Sequence, residues 1–339
     1  MYANEKNIQI LIGVLKRKGI REVILSPGGT NAPIIQSFQY DNFFSCHSVV
    51  DERNSIYYAI GISQVKGCPV VCVCTAGTAV SNFLPGMTEA YYQNIPIIAV
   101  TADSSPFLLD QLELQKIKQE YIFEGLVKGK TSLPVVVDDL EEWACNRMVN
   151  EMLLELDHHG KGPVHINIPI TKTLECSTQK LPFQRLIERT DVRDINYKFL
   201  DEKLFHKKVM IIVGQGLNID EEFTDLCNQV YKRYNCIFSV ETISNLNCNG
   251  AVSTYVLTET NAIGNDKDVI PDIVISIGNH IASYNLKNIL RGYRNNIENW
   301  DINESGCIRD PYWSLIQIFE GNAKDFFKRL LKNAPQEEQ

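Results

Sequence analysis

Runs of consecutive apolar residues, each about as long as a β-strand, recur along the chain and are followed by turns of small residues. Residues 69–74 and 209–213 are two such runs, rich in valine and isoleucine. A strand that is apolar at every position is typical of a parallel sheet covered by helices on both faces. Segments with helical spacing of apolar residues lie between the runs. The pattern therefore predicts an α/β chain with doubly wound, largely parallel sheets.

The predicted elements fall into two groups on either side of a polar connector. The first group has strands at 22–25, 69–74, 96–100 and 162–169 and helices at 8–16, 55–65, 81–93 and 139–158. The second has strands at 208–213, 237–240, 272–278 and 298–302 and helices at 221–234, 285–292 and 319–331. We therefore expect two Rossmann-like domains, at 1–178 and 201–332, with a linker at 179–200 and a disordered tail at 333–339.

Charge and hydropathy narrow the classes of function. The net charge is −8, and no basic stripe interrupts the acidic balance, so we expect no nucleic-acid partner. No run approaches the ~20 apolar residues of a spanning helix, and no signal peptide is visible, so we expect no membrane association. The ten cysteines are dilute, and several lie in apolar runs. They predict a reduced, cytoplasmic protein.

Two familiar kinds of site have only weak support in the sequence. Gly214-Gln215-Gly216 follows a predicted strand, as a nicotinamide-binding fingerprint does, but Ile219 stands where the third glycine belongs. A dinucleotide site and a plain tight turn both remain open. The six histidines and the pair Cys72 and Cys74 show no metal-site spacing, so we expect no metal site formed by this chain.

Three segments carry more information, because each follows a predicted strand: residues 26–30, 49–53 and 75–82. The carboxyl ends of parallel strands meet at one sheet edge, where open α/β folds bind ligands. A simpler interpretation is also available. Asp51 and Glu52 suit the positive end of any helix, and the glycines suit any turn.

In order along the chain, these segments read SPG…VDER…TAGTAxxN…EAYYxxIPIIxxTAD…GPVHINIPI. The series resembles the pyrimidine-binding domain of thiamine-diphosphate-dependent enzymes. Within that superfamily it is most similar to the menaquinone-pathway synthases that make 2-succinyl-5-enolpyruvyl-6-hydroxy-3-cyclohexene-1-carboxylate. The resemblance runs through about residues 5–172. The second half of the chain resembles the central Rossmann-like domain of the same family, most distinctly over 300–311.

The resemblance implies a cofactor and a set of roles. The cofactor is thiamine diphosphate with Mg²⁺, and the catalytic residue is Glu52, whose carboxyl shares a proton with the aminopyrimidine ring. Such a carboxyl should be desolvated, with its pKa raised toward neutrality. The apolar Val49 and Val50 beside it suit that setting. The implied cofactor-binding residues are Ser26, Pro27, Gly28, Gly77, Thr78 and Asn82.

The resemblance also implies a substrate, and here the sequence departs from the family pattern. The family has arginines after SPGS and after TAD, where this chain has Thr30 and Ser104. A basic pair of the central domain is replaced by Tyr284 and Asn285. Gln115 keeps a family glutamine. We take Gly29, Thr30, Ser104 and Gln115 as candidate substrate residues. The implied class is a 2-oxoacid decarboxylase or carboligase rather than one particular reaction.

The family binds the diphosphate and Mg²⁺ through a further domain that carries the sequence GDG and a later asparagine. This chain has only the near match Gly264-Asn265-Asp266. We therefore expect either a fragment of a longer protein or one subunit of a split enzyme, inactive alone and working as a homo- or hetero-oligomer with a diphosphate-binding domain or subunit. Two other functions remain open: a non-catalytic regulatory or binding module, and a nicotinamide-dependent dehydrogenase.

Overall fold

A computed structural model describes residues 1–171, 175–260 and 267–333, and the chain divides into two compact units, Met1–Leu186 and Ile187 onward. The first unit is built from eleven main elements: α1 (Lys6–Lys18), β1 (Glu22–Leu25), α2 (Ala32–Tyr40), β2 (Ser45–Ser48), α3 (Glu52–Lys66), β3 (Val70–Cys74), α4 (Thr78–Tyr92), β4 (Ile97–Asp103), β5 (Gly129–Ser132), α5 (Asp139–Glu155) and β6 (Val164–Pro169). Its six strands form one parallel sheet in the order β2-β1-β3-β4-β6-β5.

The core of the first unit lies on both faces of this sheet. In β3, Val71 and Val73 join the cluster beneath α1 and α5, whereas Val70, Cys72 and Cys74 join the cluster beneath α3 and α4. All five side chains are fully buried. This two-sided burial is the reason that the strand is apolar at every position. The α/β class and the parallel sheet are confirmed.

The second unit repeats the architecture with a different strand order. Its elements are β7 (Glu188–Asp191), α6 (Tyr197–Phe205), β8 (Val209–Val213), α7 (Glu221–Arg233), β9 (Cys236–Val240), β10 (Ala251–Val252), α8 (Thr254–Glu259), β11 (Ile273–Ile277), α9 (Tyr284–Gly292), β12 (Glu298–Asn303), β13 (Leu315–Glu320) and α10 (Ala323–Asn333). The seven strands are parallel, in the order β10-β9-β8-β11-β12-β13-β7.

Two boundary predictions need correction. Residues 179–200 are not a linker: the division between the units falls after Leu186, and β7 adds to the second sheet beside β13. The predicted helix at 319–331 begins too early, because Phe319 is buried as part of β13 and Gly321 separates that strand from α10. Of the predicted tail, Asn333 ends α10. Residues 334–339, like Gly264-Asn265-Asp266, lie outside the described residues.

Within the described ranges, no helix combines the length and the apolar character that crossing a membrane requires.

Candidate functional site

The three segments singled out in the sequence lie at one edge of the first sheet. They follow β1, β2 and β3, which are neighbours in the sheet. Ser26 ties them together, because its Oγ donates to the Val49 carbonyl at 2.8 Å and its backbone N–H donates to the Val73 carbonyl at 2.9 Å. Ser26 is 1% exposed. Its side chain therefore fixes the strand ends and faces away from solvent.

The turn after β1 is held by a buried asparagine that the sequence analysis did not single out. Asn31 Oδ1 accepts from the Gly28 N–H at 2.8 Å, and Asn31 Nδ2 donates to the Ser26 carbonyl at 2.8 Å. A Cβ on Gly28 would lie 2.5 Å from Thr75 Cβ, so the turns after β1 and β3 touch. In the same turn Thr30 is half-buried, whereas Pro27 and Gly29 are exposed.

Glu52 occupies the first turn of α3, and its neighbour Asp51 has a purely structural role as the cap of that helix. Asp51 caps the helix by accepting the Asn54 N–H at 2.8 Å. Glu52 is half-buried, and its Oε2 accepts from Asn82 Nδ2 at 3.4 Å. Asn82 and Thr78 are exposed on the first two turns of α4. The two helices therefore present a carboxylate and an amide to the same space.

The surroundings of Glu52 are less apolar than the sequence suggests. Val50 is 74% exposed and does not cover the carboxylate, whereas Val49 packs against the core beneath α3 and α4. Cys74, at the end of β3, is fully buried and close enough to feel the charge of Glu52. Burial, together with the negative charge of Glu52, raises the pKa of Cys74 well above its usual range. Glu52 therefore stands beside a neutral thiol at the edge of the core.

Gly77 begins α4 in a conformation that other residues avoid, with φ of 78° and ψ of −135°. A Cβ at this position would lie 2.9 Å from Gln115 Cβ and 3.1 Å from its backbone Cα and carbonyl oxygen. Gln115, an exposed residue, is thus brought against the turn that carries Gly77 and Thr78. The structure places one candidate substrate residue beside one candidate cofactor residue.

We expect Gly77→Ala to lower the free energy of unfolding by about 2 kcal/mol, because it adds both backbone strain and the clash with Gln115. Gly61→Ala is the matched control, since Gly61 lies on α3 with nothing within 4 Å of an added Cβ. That change should stabilise the chain by about 0.5–1 kcal/mol. Urea unfolding of both variants measures the difference. Equal effects would mean that the turn is not constrained as described.

A buried amide, Gln119, joins the Gly77 turn to the two neighbouring strands. Its Oε1 accepts from the Gly77 N–H at 3.2 Å, and its Nε2 donates to the Ala102 carbonyl and to Asn167 Oδ1, both at 2.7 Å. Gln119 is 1% exposed. One side chain therefore fixes the end of β3 relative to β4 and β6.

The network continues from Asn167 into the sheet. Thr101 Oγ1 donates to Asn167 Oδ1 at 2.9 Å and lies 2.8 Å from His165 Nε2. Because the Thr101 hydroxyl donates its proton to Asn167, the Thr101 oxygen must accept a hydrogen bond from the Nε2–H of His165. His165 is fully buried, and burial lowers its pKa to about 3, with the charge of Lys130 adding to the effect. His165 is therefore a neutral structural histidine.

The low pKa of His165 predicts a pH-dependent stability. Between pH 6.5 and pH 3 the unfolded chain binds a proton at this residue and the native chain does not, so stability rises with pH across that range. Acidification from pH 7 to pH 5 should cost about 2 kcal/mol through His165 alone. His165→Gln, which keeps a donor toward Thr101, should remove that part of the slope in urea unfolding. An unchanged slope would contradict the assignment.

The loop after β4 is anchored by a buried ion pair. Lys116 Nζ lies 2.7 Å from Asp103 Oδ1, and the two side chains are only 4% and 8% exposed. Lys116 also donates to the Ser104 carbonyl at 3.0 Å, and the Ser104 N–H donates to Asp103 Oδ1 at 2.8 Å. The backbone of Ser104 is therefore held in place by hydrogen bonds, next to the loop that carries Gln115.

The Gly214–Gly216 turn of the second unit does not have the surroundings of a dinucleotide site. The Gln215 N–H donates to the His280 carbonyl at 2.9 Å, and the Asn279 N–H donates to the Gln215 carbonyl at 2.8 Å. The turns after β8 and β11 therefore bond to each other. The next helix, α7, is capped by Asp220 and has Glu221 and Glu222 in its first turn. The negative charge of these carboxylates disfavours binding of a phosphate at the N-terminus of α7.

Comparisons with known proteins find similarity over the first unit and over most of the chain. The sequence profile of the family described as "Thiamine pyrophosphate enzyme, N-terminal TPP binding domain" matches residues 6–122. The chain is also similar to proteins named 2-succinyl-5-enolpyruvyl-6-hydroxy-3-cyclohexene-1-carboxylate synthase. The relative from Bacteroides thetaiotaomicron is 37% identical over 341 residues, which cover 97% of this chain and 60% of the relative.

Two further relatives of the same name show a similar pattern. The protein from Phocaeicola vulgatus is 36% identical over 350 residues, covering 99% of this chain and 61% of its own length. The protein from Porphyromonas gingivalis is 31% identical over 349 residues, which cover 99% of this chain and 59% of the relative. The chain thus spans about three fifths of the length of these curated relatives.

Among solved structures, benzoylformate decarboxylase from Polynucleobacter necessarius has 15% identity and a TM-score of 0.44, covering 100% of this chain and 62% of that chain. This TM-score and identity are too low to support any argument about the fold. By the profile match, residues 6–122 are similar to the N-terminal domain of thiamine pyrophosphate enzymes, and over nearly its whole length the chain is similar in sequence to 2-succinyl-5-enolpyruvyl-6-hydroxy-3-cyclohexene-1-carboxylate synthases.

Proposed function

We propose that the edge formed by the turns after β1, β2 and β3 binds and activates the aminopyrimidine ring of thiamine diphosphate, in an enzyme that decarboxylates a 2-oxoacid and joins the product to an acceptor. The observation that carries the proposal is the position of Glu52. Its carboxylate is half-buried at this edge and lies 3.4 Å from Asn82 Nδ2 on α4, the helix that follows the Gly77 turn.

The residues at this edge fit an uncharged heteroaromatic ring. They offer the Glu52 carboxylate, the Asn82 amide and the backbone groups of two turns at Gly28 and Gly77, where the chain comes close without side chains. Segments 26–31, 49–53 and 75–82 contain a single basic residue, the exposed Arg53. That set suits the pyrimidine ring and gives little to hold a diphosphate.

The proposed chemistry divides between cofactor and protein. When bound, thiamine diphosphate supplies a nucleophilic carbon on its thiazolium ring. Glu52 holds a proton at its carboxyl and shares it with a ring nitrogen, which adjusts the protonation state of the ring. Asn82 orients the carboxyl through Oε2. In the described part of the chain, Oε1 has no hydrogen-bond partner and is the oxygen left for the ring.

We place the diphosphate and Mg²⁺ on protein outside residues 1–339, in the same polypeptide or in a partner. Large exposed apolar side chains near the candidate site support the proposal that another protein surface covers this edge. Val50 is 74% exposed, Phe107 89%, Leu112 102% and Leu114 90%. Where such side chains form one contiguous patch, the patch marks an interaction surface. We therefore propose that the active enzyme is an oligomer whose other domain or chain closes this edge.

The substrate class follows from the relatives and from the residues that differ. The relatives' shared name makes that synthase reaction the first to assay. Thr30 and Ser104 replace two arginines of the family pattern, so the reaction class is proposed more broadly than one substrate. The ten cysteines are free thiols, as a reducing compartment maintains, and we propose a cytoplasmic location.

The test isolates the native protein with any chain that accompanies it and adds thiamine diphosphate, Mg²⁺ and a 2-oxoacid. We expect release of CO₂ that depends on the cofactor. Retention of thiamine diphosphate without turnover of any 2-oxoacid would favour the non-catalytic module. Failure of the native assembly to bind the cofactor, measured by calorimetry, would contradict the proposal.

A further inference from the structure

Three cysteines of the second unit lie close together, on α7, at the start of β9 and in the turn before β10. They are Cys227, Cys236 and Cys248. Cys227 and Cys236 are buried in the core of the unit, and Cys248 is half-buried against the same core. None of them has a part in the chemistry proposed for the first unit. Within the described residues, the three thiols do not converge closely enough to hold a metal ion together.

The turn that carries Cys248 is hydrogen-bonded to the helix that carries Cys227. The Asn249 N–H donates to Asn228 Oδ1 at 2.8 Å. These two residues directly follow Cys248 and Cys227 in the chain, so their hydrogen bond also holds the two cysteines near each other. Cys236 is engaged elsewhere, because its thiol donates to a backbone carbonyl of α7 at 3.8 Å.

Gly250 places the same turn against both α7 and β9. Its φ of 74° lies in the left-handed region, and a Cβ at this position would collide with the ring of Tyr231 on α7. The Gly250 carbonyl accepts from the Phe238 N–H of β9 at 2.9 Å. The Ala251 N–H donates to the Cys248 carbonyl at 3.2 Å and closes the turn. The backbone of this turn is therefore fixed relative to both elements.

The thiols of Cys227 and Cys248 are in contact, and their surroundings make them unequal. The Cys227 thiol donates a hydrogen bond to Cys248, which lowers the pKa of Cys248. The same hydrogen bond, together with burial, raises the pKa of Cys227. Cys227 is fully buried, whereas Cys248 is partly exposed. Because the thiolate is the nucleophile, Cys248 is the thiol that reacts first with an oxidant.

We propose that Cys227 and Cys248 form a reversible disulfide that fastens the turn before β10 to α7. A disulfide requires Cβ atoms about 3.5–4.5 Å apart, so cysteines that are already juxtaposed can form one without moving the backbone. The contact between the thiols and the adjacent Asn249–Asn228 hydrogen bond supply that juxtaposition. In a reducing compartment such a bridge is transient and redox-sensing. This inference does not depend on the function proposed for the first unit.

The oxidant is a small-molecule disulfide, for which glutathione disulfide is the probe. The Cys248 thiolate attacks one sulfur of the probe, the S–S bond of the probe breaks, and one glutathione thiolate leaves. Cys227 then gives up its proton and attacks Cys248 Sγ, and the second glutathione thiolate leaves. The two cysteine protons end on the two released glutathione molecules. Two protein thiols are oxidised to one disulfide while the probe is reduced to two thiols, so excess glutathione reverses the reaction.

The test equilibrates the native protein in mixtures of glutathione and glutathione disulfide, blocks free thiols with N-ethylmaleimide under denaturing conditions and identifies linked peptides by mass spectrometry. We expect peptides joined through Cys227 and Cys248 at the oxidising end, and their separation by excess glutathione. In the oxidised protein the Asn249 and Ala251 amides should exchange with deuterium about tenfold more slowly than in the reduced protein, because the cross-link restricts local opening of the turn.

Single variants separate the roles of the two cysteines. Cys227→Ala should leave glutathione attached to Cys248, since no neighbouring thiol remains to release it. Cys248→Ala should form about tenfold less glutathione adduct on Cys227 than Cys227→Ala forms on Cys248, because a fully buried thiol is inert. Cys236→Ala is the matched control and should keep the bridge.

Three results would overturn the proposal. The first is full labelling of Cys227 and Cys248 by N-ethylmaleimide at the oxidising end. The second is a bridge that contains Cys236, or loss of the bridge in a folded Cys236→Ala protein. The third is equal deuterium exchange of the turn in the oxidised and reduced proteins, which would show that the bridge does not fasten it.

Discussion

Glu52→Gln is expected to reduce 2-oxoacid turnover of the native assembly by about 10³-fold, the scale of a lost general acid–base group. The variant keeps the size of the side chain and an oxygen for Asn82, but it cannot exchange a proton with the ring. The free energy of unfolding should change by less than about 0.5 kcal/mol, as for most partly exposed positions. Steady-state kinetics and urea unfolding measure the two effects separately.

Glu202→Gln is the matched control for this prediction, because Glu202 is an exposed carboxylate of the second unit with no role at the site. It should leave both turnover and stability unchanged. A Glu52→Gln enzyme with nearly full activity would refute the proposed role of Glu52. So would a loss of activity that simply follows a loss of folded protein.

Lys116→Met is expected to lower the free energy of unfolding by about 3–5 kcal/mol, because it leaves the Asp103 carboxylate buried without its cation. The pair is only 4% and 8% exposed. Lys6→Met serves as the control, since Lys6 and Glu142 form a pair at 3.0 Å with side chains 52% and 44% exposed. That change should cost less than about 1 kcal/mol.

The double variant Asp103→Asn with Lys116→Met separates charge from packing. If the unpaired carboxylate is the main penalty, the double variant should regain about 1–2 kcal/mol relative to Lys116→Met alone. Chemical unfolding of the four proteins of this cycle gives the coupling. A double variant as unstable as the single one would show that the lysine acts through its packing and not through its charge.

The central strands could be predicted from sequence because burial on both faces leaves a continuous apolar run, as in β3 and β8. The edge strands could not. β2, β5 and β7 are short, contain mostly polar residues and are only partly buried. Their positions are set by hydrogen bonds to a neighbouring strand, which leave little trace in hydropathy.

The candidate site, like the strands, could be predicted from sequence only in part. Segments 26–30, 49–53 and 75–82 were predicted to converge because parallel strands end at one edge, and the structure brings them there. The network beneath Gly77 was missed. A signal existed, since Thr101 and Asp103 in β4, and His165 and Asn167 in β6, are polar residues two positions apart in buried strands. That spacing puts each pair on one face of the sheet.

Gln119 and Lys116 gave no comparable signal, because they lie in an irregular loop whose residues are mostly exposed. Their burial depends on contacts with β4 and β6 that local sequence does not encode. The same loop carries Gln115 and the exposed Leu112 and Leu114. It therefore supports the Gly77 turn and also exposes apolar side chains that another protein surface could cover.

The most direct test of the account is the exchange of the C2 hydrogen of bound thiamine diphosphate with deuterium, followed by NMR after acid quench of the native assembly. Activation of the aminopyrimidine by Glu52 predicts fast exchange in the wild type. It also predicts exchange slower by about 10³-fold in Glu52→Gln, with the cofactor still bound. Equal exchange rates in the two proteins, at equal occupancy of the cofactor, would contradict the assignment of Glu52 as the activating residue.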